Sequence, residues 1–503
     1  MANQLSAIEH VVQLMLENRS FDQMLGFLYA DDGNKSPTGD PYEGLKGDES
    51  NPDDAGRPAK VFRIDNNAKH PYLMPGADPG EGFFNTSYQL FRTDTPAQNA
   101  KPTNDGFVIN FKAAIASDQA RHFKDTLPGT DPTDIMGMYS PDMLPIMSAL
   151  AKGFAVCDQW FCSAPTQTIP NRAFAAAGTS QGHLDNHVKV FTCPSIFGRL
   201  TDKKEDWAIY GYNRDPLTRL DFSDTQQADE SHFGHFRDFQ ARAQAGTLPV
   251  YTFLEPSFGS GGNSQHPNYD VAAGEQLLHD VYYALRNGPG WNNTLLVITY
   301  DEHGGNYDHV PPPWGATPPD NTVGEWGFDF RRFGVRVPAL LISPRIAAGT
   351  VFRAKRGVID HTSLLKTLEE RWELEPLTER DKAAPDLGDV LTLTKPRADD
   401  PLKNVPIPLS KSAHPNQSHP SLIDELHASK VMNLPLRNEQ GSYDRQTPPD
   451  LSSSAAISQY IQTRTAAWTQ HLARLRQRAK QPKGKPAPPP PAAGKAKQKP
   501  GGR

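Results

Sequence analysis

Two pairs of polar residues stand where apolar segments end, and both pairs carry oxygen ligands. Glu17 and Asn18 follow one apolar run in ENRSFD, and Asp301 and Glu302 follow another in TYDEHGG. Carboxylates that are brought together repel one another unless a cation lies between them. Because every donor is an oxygen, a hard divalent ion suits the set, with Ca²⁺ favoured and Mg²⁺ or Mn²⁺ as alternatives. Either pair alone is equally typical of helix and turn caps.

Four histidines and one arginine lie in or near similar polar motifs. Histidine can donate to phosphate oxygens, protonate a leaving alkoxide or bind a metal. We favour such roles for His266 in QHPNYD and His361 in IDHTSLL, whereas His303 and His309 in DEHGGNYDHV are as readily structural. Arg172 in TIPNR is a candidate to bind phosphate, and a buried structural arginine is its alternative.

These side chains need a scaffold that brings the ends of strands together. The runs Ile8 to Leu16, Thr294 to Tyr300 and Val337 to Ser343 have the length and apolar content of buried strands. Ala272 to Arg286 is typical of a helix, so strands and helices alternate along the chain. This alternation predicts an α/β fold with a mainly parallel central sheet flanked by helices. Ligands of such sheets bind beyond the carboxyl ends of the strands, which is where the polar motifs stand.

The rest of the chain divides by composition. The Pro- and Gly-rich stretches Gly33 to Pro58 and Asp215 to Gly246 are predicted to be loop insertions over the active-site edge of the sheet. We predict a catalytic domain over residues 1–393 and a C-terminal extension over residues 394–480, with a helix that packs on the catalytic domain. Residues 481–503 are mostly Pro, Lys, Ala and Gly and are predicted to be a disordered tail.

Composition also limits the classes of function. The 503 residues carry a formal net charge of −6, which gives no support for a nucleic-acid partner and leaves a small organic substrate. No apolar run approaches the roughly 20 residues that span a bilayer, so a lipid substrate is met from solution or by peripheral contact with a membrane. The first residues show no secretory signal, so we expect a cytoplasmic protein, with export by another route as the alternative. Nothing in the sequence indicates an oligomeric state.

Over roughly Ile8 to Trp372, five motifs in order resemble the bacterial and plant phospholipase C and acid phosphatase family. They are EHVVQLMLENRSFDQMLG, TIPNR, HPNYDVAAGE, ITYDEHGGNYDHVPPP, and VPALLISP followed by DHTSLL. That family is similar in fold to the alkaline phosphatase superfamily. The resemblance therefore implies an alkaline-phosphatase-like α/β fold and a metal-dependent hydrolase of phosphoric esters.

The resemblance also implies roles for single positions. Thr168 matches the Thr or Ser before x-P-N-R that acts as the nucleophile, and His266 matches a histidine that contacts the phosphate or the leaving group. Asn18 is expected to contact substrate as well as metal. The implied metal ligands are Glu17, Asn18, Thr168, Asp301 and Glu302.

We therefore hypothesise that Thr168 attacks phosphorus and forms a phosphothreonine, while His266 and His361 stabilise phosphate oxygens or protonate the departing alcohol. The predicted function is phospholipase C activity on phospholipid phosphodiesters. The alternatives are an acid phosphatase that acts on monoesters and a noncatalytic binding or effector-associated protein that keeps the fold. The aromatic segment Gly82 to Phe91 is either an apolar approach for acyl chains or core.

One position departs from the family pattern. Family members carry a D-P-x-H stretch whose histidine reaches the phosphate, whereas this chain reads DPGE and places Glu81 there. A carboxylate repels phosphate unless it is protonated or bound to a metal. Glu81 is therefore expected either to face the substrate phosphate or to be an additional metal ligand.

Overall fold

The structure is a computed structural model, and it describes residues 3–120, 126–187, 190–259, 261–411, 420–436, 450 and 452–480. The β-strands within these residues are β1 His10–Leu16, β2 Ser50–Pro52, β3 Pro58–Lys60, β4 Phe62–Ile64, β5 Gly137–Tyr139, β6 Ala155–Val156, β7 Trp160–Phe161, β8 Trp207–Gly211, β9 Phe233–His235, β10 Tyr251–Glu255, β11 Thr294–Tyr300, β12 Ala339–Ile342, β13 Thr350–Val351 and β14 Ile359–Asp360. The α-helices are α1 Phe21–Leu25, α2 Phe83–Phe91, α3 Phe107–Ala120, α4 Pro145–Gly153, α5 Thr168–Ala177, α6 Ile196–Lys203, α7 Ser223–Gln227, α8 Phe236–Ala245, α9 Val271–Arg286, α10 Thr362–Trp372, α11 Glu379–Ala383, α12 Leu422–Met432 and α13 Ser454–Lys480.

Eight strands form the central sheet, in the order β13-β6-β12-β11-β1-β10-β8-β9. The pairings of β11, β1, β10, β8 and β9 along one side are parallel, whereas β12 runs antiparallel to both β11 and β6. The strands β1 and β11 lie at the centre and are almost wholly buried, as expected for strands covered on both faces. The predicted α/β class with a mainly parallel sheet is confirmed.

The predicted strands and the predicted helix are all present, as β1, β11, β12 and α9. Helices cover the sheet in two groups, because α9 contacts α4 and α8, while α5 contacts α6 and α10. The strands β1 and β11 place the polar motifs that follow them at one edge of the sheet, because the two strands are adjacent and in parallel register from His10 opposite Thr294 to Leu16 opposite Tyr300. The antiparallel β12 ends at the opposite edge.

The predicted positions of the loop insertions are wrong. Asp215 to Gly246 contains α7, β9 and α8, and β9 forms the edge strand of the central sheet beside β8. Its helix α8 has apolar anchors, because Phe239 and Ala243, four residues apart, face inward and are buried. Gly33 to Pro58 is held by buried Tyr42 and Leu45. Neither segment lines the cavity described below, which is bordered instead by residues 78–85, by α3 and by the start of α12.

The C-terminal segment packs on the segment that connects β8 to β9. A cluster of buried apolar residues joins α12 and α13 to Leu220, and the Trp468 indole donates to the Gln226 carbonyl oxygen at 3.0 Å. Lys430 and Asp221 form a buried ion pair at 2.9 Å. The predicted tail, residues 481–503, lies outside the described residues. In the part of the chain that the structure describes, no helix combines the length and apolar character that crossing a membrane requires.

Candidate active site

The site begins where β1 and β11 end side by side. Parallel pairing brings Leu16 opposite Tyr300, so the residues that follow both strands meet at the same edge of the sheet. The backbone N–H of Asn18 donates to Asp301 Oδ1 at 2.9 Å, and the backbone N–H of Glu302 donates to the same oxygen at 2.8 Å. The structure thus brings the two predicted pairs together.

Close approach of the two segments requires unusual backbone. Asn18 has a positive φ of 55°, which asparagine tolerates better than most residues. Gly304 has a φ of 62°, and a β-carbon at that position would collide with the Asn18 carbonyl oxygen. The glycines of DEHGG therefore allow the loop after β11 to lie against Asn18.

Thr168 is brought to the same place by the start of α5. It is the first residue of that helix, and Asn186 Oδ1 accepts from the next backbone N–H, that of Ile169, at 2.9 Å. The Thr168 hydroxyl donates to Asn18 Oδ1 at 3.3 Å, and the Asn18 side-chain amide donates to Glu81. Three residues that are far apart in sequence, Asn18, Glu81 and Thr168, therefore form one connected polar group with Thr168 at its edge.

A cavity of about 560 Å³ opens above this group. Glu17, Glu81, Thr168 and His266 line it, together with residues of α3 and α12. The other predicted ligands do not line the cavity but lie buried behind it, each with no more than 1% of its surface exposed. They are Asn18, Asp301 and Glu302.

The donor set fits a divalent cation. Oε1 of Glu17 and Oε1 of Glu302 are buried and have no hydrogen-bond partner among the described residues. The oxygens Asn18 Oδ1 and Thr168 Oγ1, 3.3 Å apart, fit the coordination sphere of an ion whose ligands stand about 2.3–2.6 Å away. Unpaired carboxylate oxygens in such a setting are costly without a cation. The set therefore meets the requirement of a hard metal, and its chemistry does not single out one ion.

A further ligand group lies at the same cavity. Asp78, Glu81 and His266 each offer one ligand atom, and these atoms lie within 4.8 Å of one another. Sequence interpretation missed Asp78, although it begins the same DPGE stretch that contains Glu81. It also missed Asn186, which supports the first turn of α5 and has no motif of its own.

Burial raises the pKa of three of the acidic groups in the metal-free protein. Burial raises the pKa of Glu17 to about 7, with a smaller rise from Asp301. Burial also raises the pKa of Glu81 to about 8, with Asp78 adding to the rise, and it raises the pKa of Glu302 well above its usual range. A cation in the site would favour the ionised form of each group.

His266 presents one ring nitrogen to the cavity. Its Nδ1 donates to the carbonyl oxygen of Pro267 at 3.0 Å, and its Nε2 lies 3.9 Å from Asp78 Oδ1. Burial lowers the pKa of His266, but the negative charges of Asp78, Glu17 and Glu81 outweigh burial and raise it overall. The ring is thus fixed by its backbone contact, and Nε2 is the nitrogen available for proton transfer or for an anion.

Arg172 does not line the cavity, contrary to the expectation that it binds phosphate. Its Nε donates to Asp301 Oδ2 at 3.0 Å in a buried ion pair, and its guanidinium lies 5.3 Å from the Phe258 ring centre. Burial lowers its pKa, but Asp301 and Glu17 outweigh burial and raise it. The structure therefore places Arg172 as the charge partner of Asp301.

His361 likewise lies behind the carboxylates and not in the cavity. Its Nε2 donates to the Asp301 carbonyl oxygen at 2.6 Å, and its Nδ1 accepts from the Trp160 indole at 3.2 Å. Both ring nitrogens are thus occupied, and burial lowers the pKa of His361. The expectation that His361 contacts substrate is corrected: it holds the backbone of the Asp301 segment.

The remaining two histidines have structural contacts. Burial lowers the pKa of His303 to about 3, and its Nε2 donates to Gln89 Oε1 at 2.9 Å. His309 Nδ1 lies 2.7 Å from Asp22 Oδ2. The aromatic segment Gly82 to Phe91 forms α2 and is mostly core, although Phe84 is 38% exposed.

Comparison with known proteins identifies the family of this chain. The model of the Phosphoesterase family matches residues 8–375. Non-specific phospholipase C6 of Arabidopsis thaliana is 36% identical over 419 residues, covering 79% of this chain and 75% of that protein. Phospholipase C A of Mycobacterium tuberculosis (strain CDC 1551 / Oshkosh) is 28% identical, covering 83% and 81%.

Among solved structures, a protein in the alkaline phosphatase superfamily from Vibrio parahaemolyticus is similar, with 12% identity and a TM-score of 0.32. The match covers 66% of this chain and 82% of that one. The family model spans every motif that contributes Glu17, Thr168, His266 and Asp301 to the site. This chain therefore belongs to the Phosphoesterase family, and it is a hydrolase that acts on phosphoric ester bonds.

Proposed function

We propose that this chain is a metal-dependent phospholipase C-type phosphodiesterase, which cleaves phospholipids through a phosphothreonine intermediate. The observation that carries the proposal is the Thr168 hydroxyl at the wall of the cavity, 3.3 Å from Asn18 Oδ1 and supported by the first turn of α5. The phospholipase C names of the relatives support the substrate class.

The residues that would hold the cation come from three segments of the chain. When bound, a divalent cation lowers the pKa of a coordinated hydroxyl and offsets the charge of phosphate oxygens. Arg172 and His361 act indirectly, because they hold the side chain and the backbone of Asp301. The proposed ligands are Glu17, Asn18, Thr168, Asp301 and Glu302.

The chain's own residues then divide the reaction into two displacements. The Thr168 oxygen, after its proton passes to water, attacks phosphorus, and the bond from phosphorus to the glycerol oxygen breaks. His266 Nε2 donates a proton to that leaving oxygen or binds a phosphate oxygen. Water next attacks the phosphorus of phosphothreonine, which restores Thr168 and releases the phosphorylated head group.

The charge of the cavity favours diesters over the monoesters of the acid phosphatase alternative. Carboxyl groups of Asp78 and Glu81 line the cavity beside Thr168. A monoester carries up to two negative charges and a diester carries one, so repulsion by the Asp78 carboxylate penalises the monoester more. Glu81 lines the cavity but also contacts Asn18 and Glu302, two of the proposed metal ligands. These contacts favour the interpretation of Glu81 as part of the metal-binding group.

Substitution of Thr168 tests the proposal. We expect Thr168→Ala to lose more than about a thousandfold in kcat on p-nitrophenylphosphorylcholine and on phosphatidylcholine in mixed micelles, because it lacks the attacking atom. Thr168→Ser keeps a hydroxyl and should keep measurable turnover. Mass spectrometry after an acid quench should detect a phosphoryl adduct on residue 168 of the parent protein.

Thr166→Ala is the matched control. Thr166 stands two residues before Thr168, and its buried hydroxyl donates to the Leu184 carbonyl oxygen. It does not line the cavity. The control should keep its rate per folded molecule. Activity of Thr168→Ala within about tenfold of the parent would be a loss of only ~1.4 kcal/mol in transition-state stabilisation. That result would refute the assignment of Thr168 as the nucleophile.

A further inference from the structure

Part of the cavity wall comes from a segment beyond the family match. The match ends at residue 375, whereas the start of α12 borders the same cavity as Thr168. This segment, which we call the α12 wall, comprises Pro420, Ser421, Leu422, Ile423 and Glu425. No role in the proposed chemistry accounts for its presence there.

The α12 wall is fixed in position by its own cap and by an ion pair. Ser421 is the N-cap, with its side chain accepting from the Asp424 backbone N–H at 3.1 Å, while Asp424 accepts from the Ser421 N–H at 2.9 Å. Arg214 forms an ion pair with the buried Asp424 at 2.7 Å. The first turn of α12 is therefore anchored to the catalytic part of the chain.

The same anchor reaches the catalytic residues. Arg214 donates to the carbonyl oxygen of Phe258 at 3.3 Å, and the Phe258 ring lies against Arg172, the partner of Asp301. Gly259 faces this anchor, since a β-carbon there would stand 3.0 Å from Asp424 Oδ2. The position of the α12 wall relative to the site is thus set by direct contacts.

The wall presents one apolar side chain that the core does not bury. Leu422 is 56% exposed although it borders the cavity, and Ile423 beside it is buried. Across the same cavity lining stand Ala113 and Ala114 of α3. The first turn of a helix favours acidic residues, so an exposed leucine at position 422 is not explained by helix stability. An apolar surface next to a phosphate-binding group suits a substrate with a charged and an apolar part.

We propose that Leu422 binds the acyl chains that adjoin the scissile phosphate, which makes the α12 wall a specificity-determining element. The inference rests on the proposed function, hydrolysis of phospholipid diesters at Thr168. It predicts that kcat/KM rises with acyl-chain length, because longer chains contact Leu422. Small diesters without acyl chains do not make this contact.

The test is the dependence of kcat/KM on acyl-chain length. Phosphatidylcholines with butanoyl, hexanoyl and octanoyl chains are used below their micelle concentrations, and p-nitrophenylphosphorylcholine serves as the substrate without acyl chains. We expect Leu422→Asp to lose about tenfold or more in kcat/KM on the octanoyl substrate and less than about twofold on the substrate without chains. Folding should survive, because an aspartate in the first turn suits the helix.

Leu475→Asp is the matched control. Leu475 is 46% exposed on α13, in the same extension, and it does not border the cavity. The control should keep the chain-length dependence of the parent. A parent-like dependence in Leu422→Asp, or an equal loss on all substrates, would overturn the acyl-binding role. A parent protein that hydrolyses none of these diesters would instead refute the proposed function, and the acyl-binding role with it.

Discussion

Two buried acidic clusters lie behind the same edge of the sheet, and each takes residues from the segments that follow β1 and β11. The active-site cluster contains Glu17, Glu81, Asp301 and Glu302. The second, which we call the arginine-paired cluster, contains Asp22, Asp308, His309 and Arg336. Both are shielded from water, yet they differ in how their charge is balanced.

The arginine-paired cluster carries its own cation. Nη2 of Arg336 lies 2.9 Å from Asp22 Oδ1 and its Nε lies 2.9 Å from Asp308 Oδ1, while His309 contacts Asp22 Oδ2, the second oxygen of that carboxylate. In the active-site cluster, Arg172 pairs with Asp301 alone, and Glu17 and Glu302 keep unpartnered oxygens among the described residues. The two clusters therefore differ in charge balance, because one is paired within the chain and the other keeps carboxylate oxygens that are suited to bind a cation.

Removal of Arg336 should have the largest effect on the free energy of unfolding. Arg336→Ala leaves Asp22 and Asp308 buried without their partner, so we expect a loss of about 3–5 kcal/mol in the free energy of unfolding. Urea denaturation measures the loss. Arg57→Ala, which removes an exposed ion pair with Asp53, should cost less than about 1 kcal/mol. Equal losses for the two variants would contradict the assignment.

Metal addition should act on the active-site cluster alone. The pKa values of Glu17 and Glu81 in the folded protein are about 7 and about 8, above the ordinary value of 4.5. Between about pH 4.5 and pH 8, the folded metal-free protein therefore binds more protons than the unfolded chain. The stability that these two groups contribute should be fully present below about pH 4.5 and should be lost as the pH rises toward 8. Ca²⁺ at a hundred times its Kd should restore ~2.7 kcal/mol at pH 8.

Thermal unfolding with EDTA and with Ca²⁺, at pH 5.5 and pH 8, measures this effect. The increase in Tm on addition of metal should be larger at pH 8, where the carboxyl groups have lost their protons. A Tm that does not depend on the cation at pH 8 would contradict a metal site in this cluster.

Neutral substitutions should change the free energy of unfolding in opposite directions in the two clusters. Glu17→Gln removes a buried charge that lacks a full set of partners, so we expect it to stabilise the metal-free protein by about 1–2 kcal/mol at pH 8 while it abolishes turnover. Asp22→Asn breaks a paired charge and should destabilise the protein. Urea denaturation in EDTA compares them, and destabilisation by Glu17→Gln would show that its carboxylate is already satisfied.

Substitution of Glu81 should have the smallest effect, and the effects on Ca²⁺ affinity and on KM distinguish its two possible roles. Glu81→Gln keeps the shape but loses the charge beside Asn18 and Glu302, so Ca²⁺ affinity should fall about tenfold, ~1.4 kcal/mol, by calorimetric titration. If Glu81 instead faced the phosphate, KM would fall and Ca²⁺ affinity would not change. An unchanged Kd together with an unchanged KM would place Glu81 outside the site.

The sequence predicts the frame of the site because strand periodicity and strand ends are local properties. The apolar runs of β1 and β11 specify where Glu17 and Asp301 must stand, whatever the rest of the chain does. Thr168 is different, since a threonine at the start of a helix has no distinctive pattern and was assigned only through the resemblance of TIPNR.

Other parts of the site depend on long-range contacts that no local pattern contains. Arg172 and His361 were expected to meet substrate, but each finds a partner on the Asp301 segment, more than 50 residues away in sequence. The Pro- and Gly-rich, polar composition of Asp215 to Gly246 predicts a loop insertion, but β9 forms there because β8 offers an edge to pair with. The α12 wall carries no motif and is found only from the cavity that it borders.

The position of the α12 wall has a consequence for protein engineering. Leu422 and Glu425 border the cavity more than 40 residues after the end of the family match, so they can be randomised without altering a codon of the motifs that supply Glu17, Thr168 and Asp301. A library confined to these two positions would explore new substrate ranges while Ser421 and Asp424 keep the start of α12 anchored. Chimeras that carry the C-terminal segments of other family members offer the same separation of selectivity from chemistry.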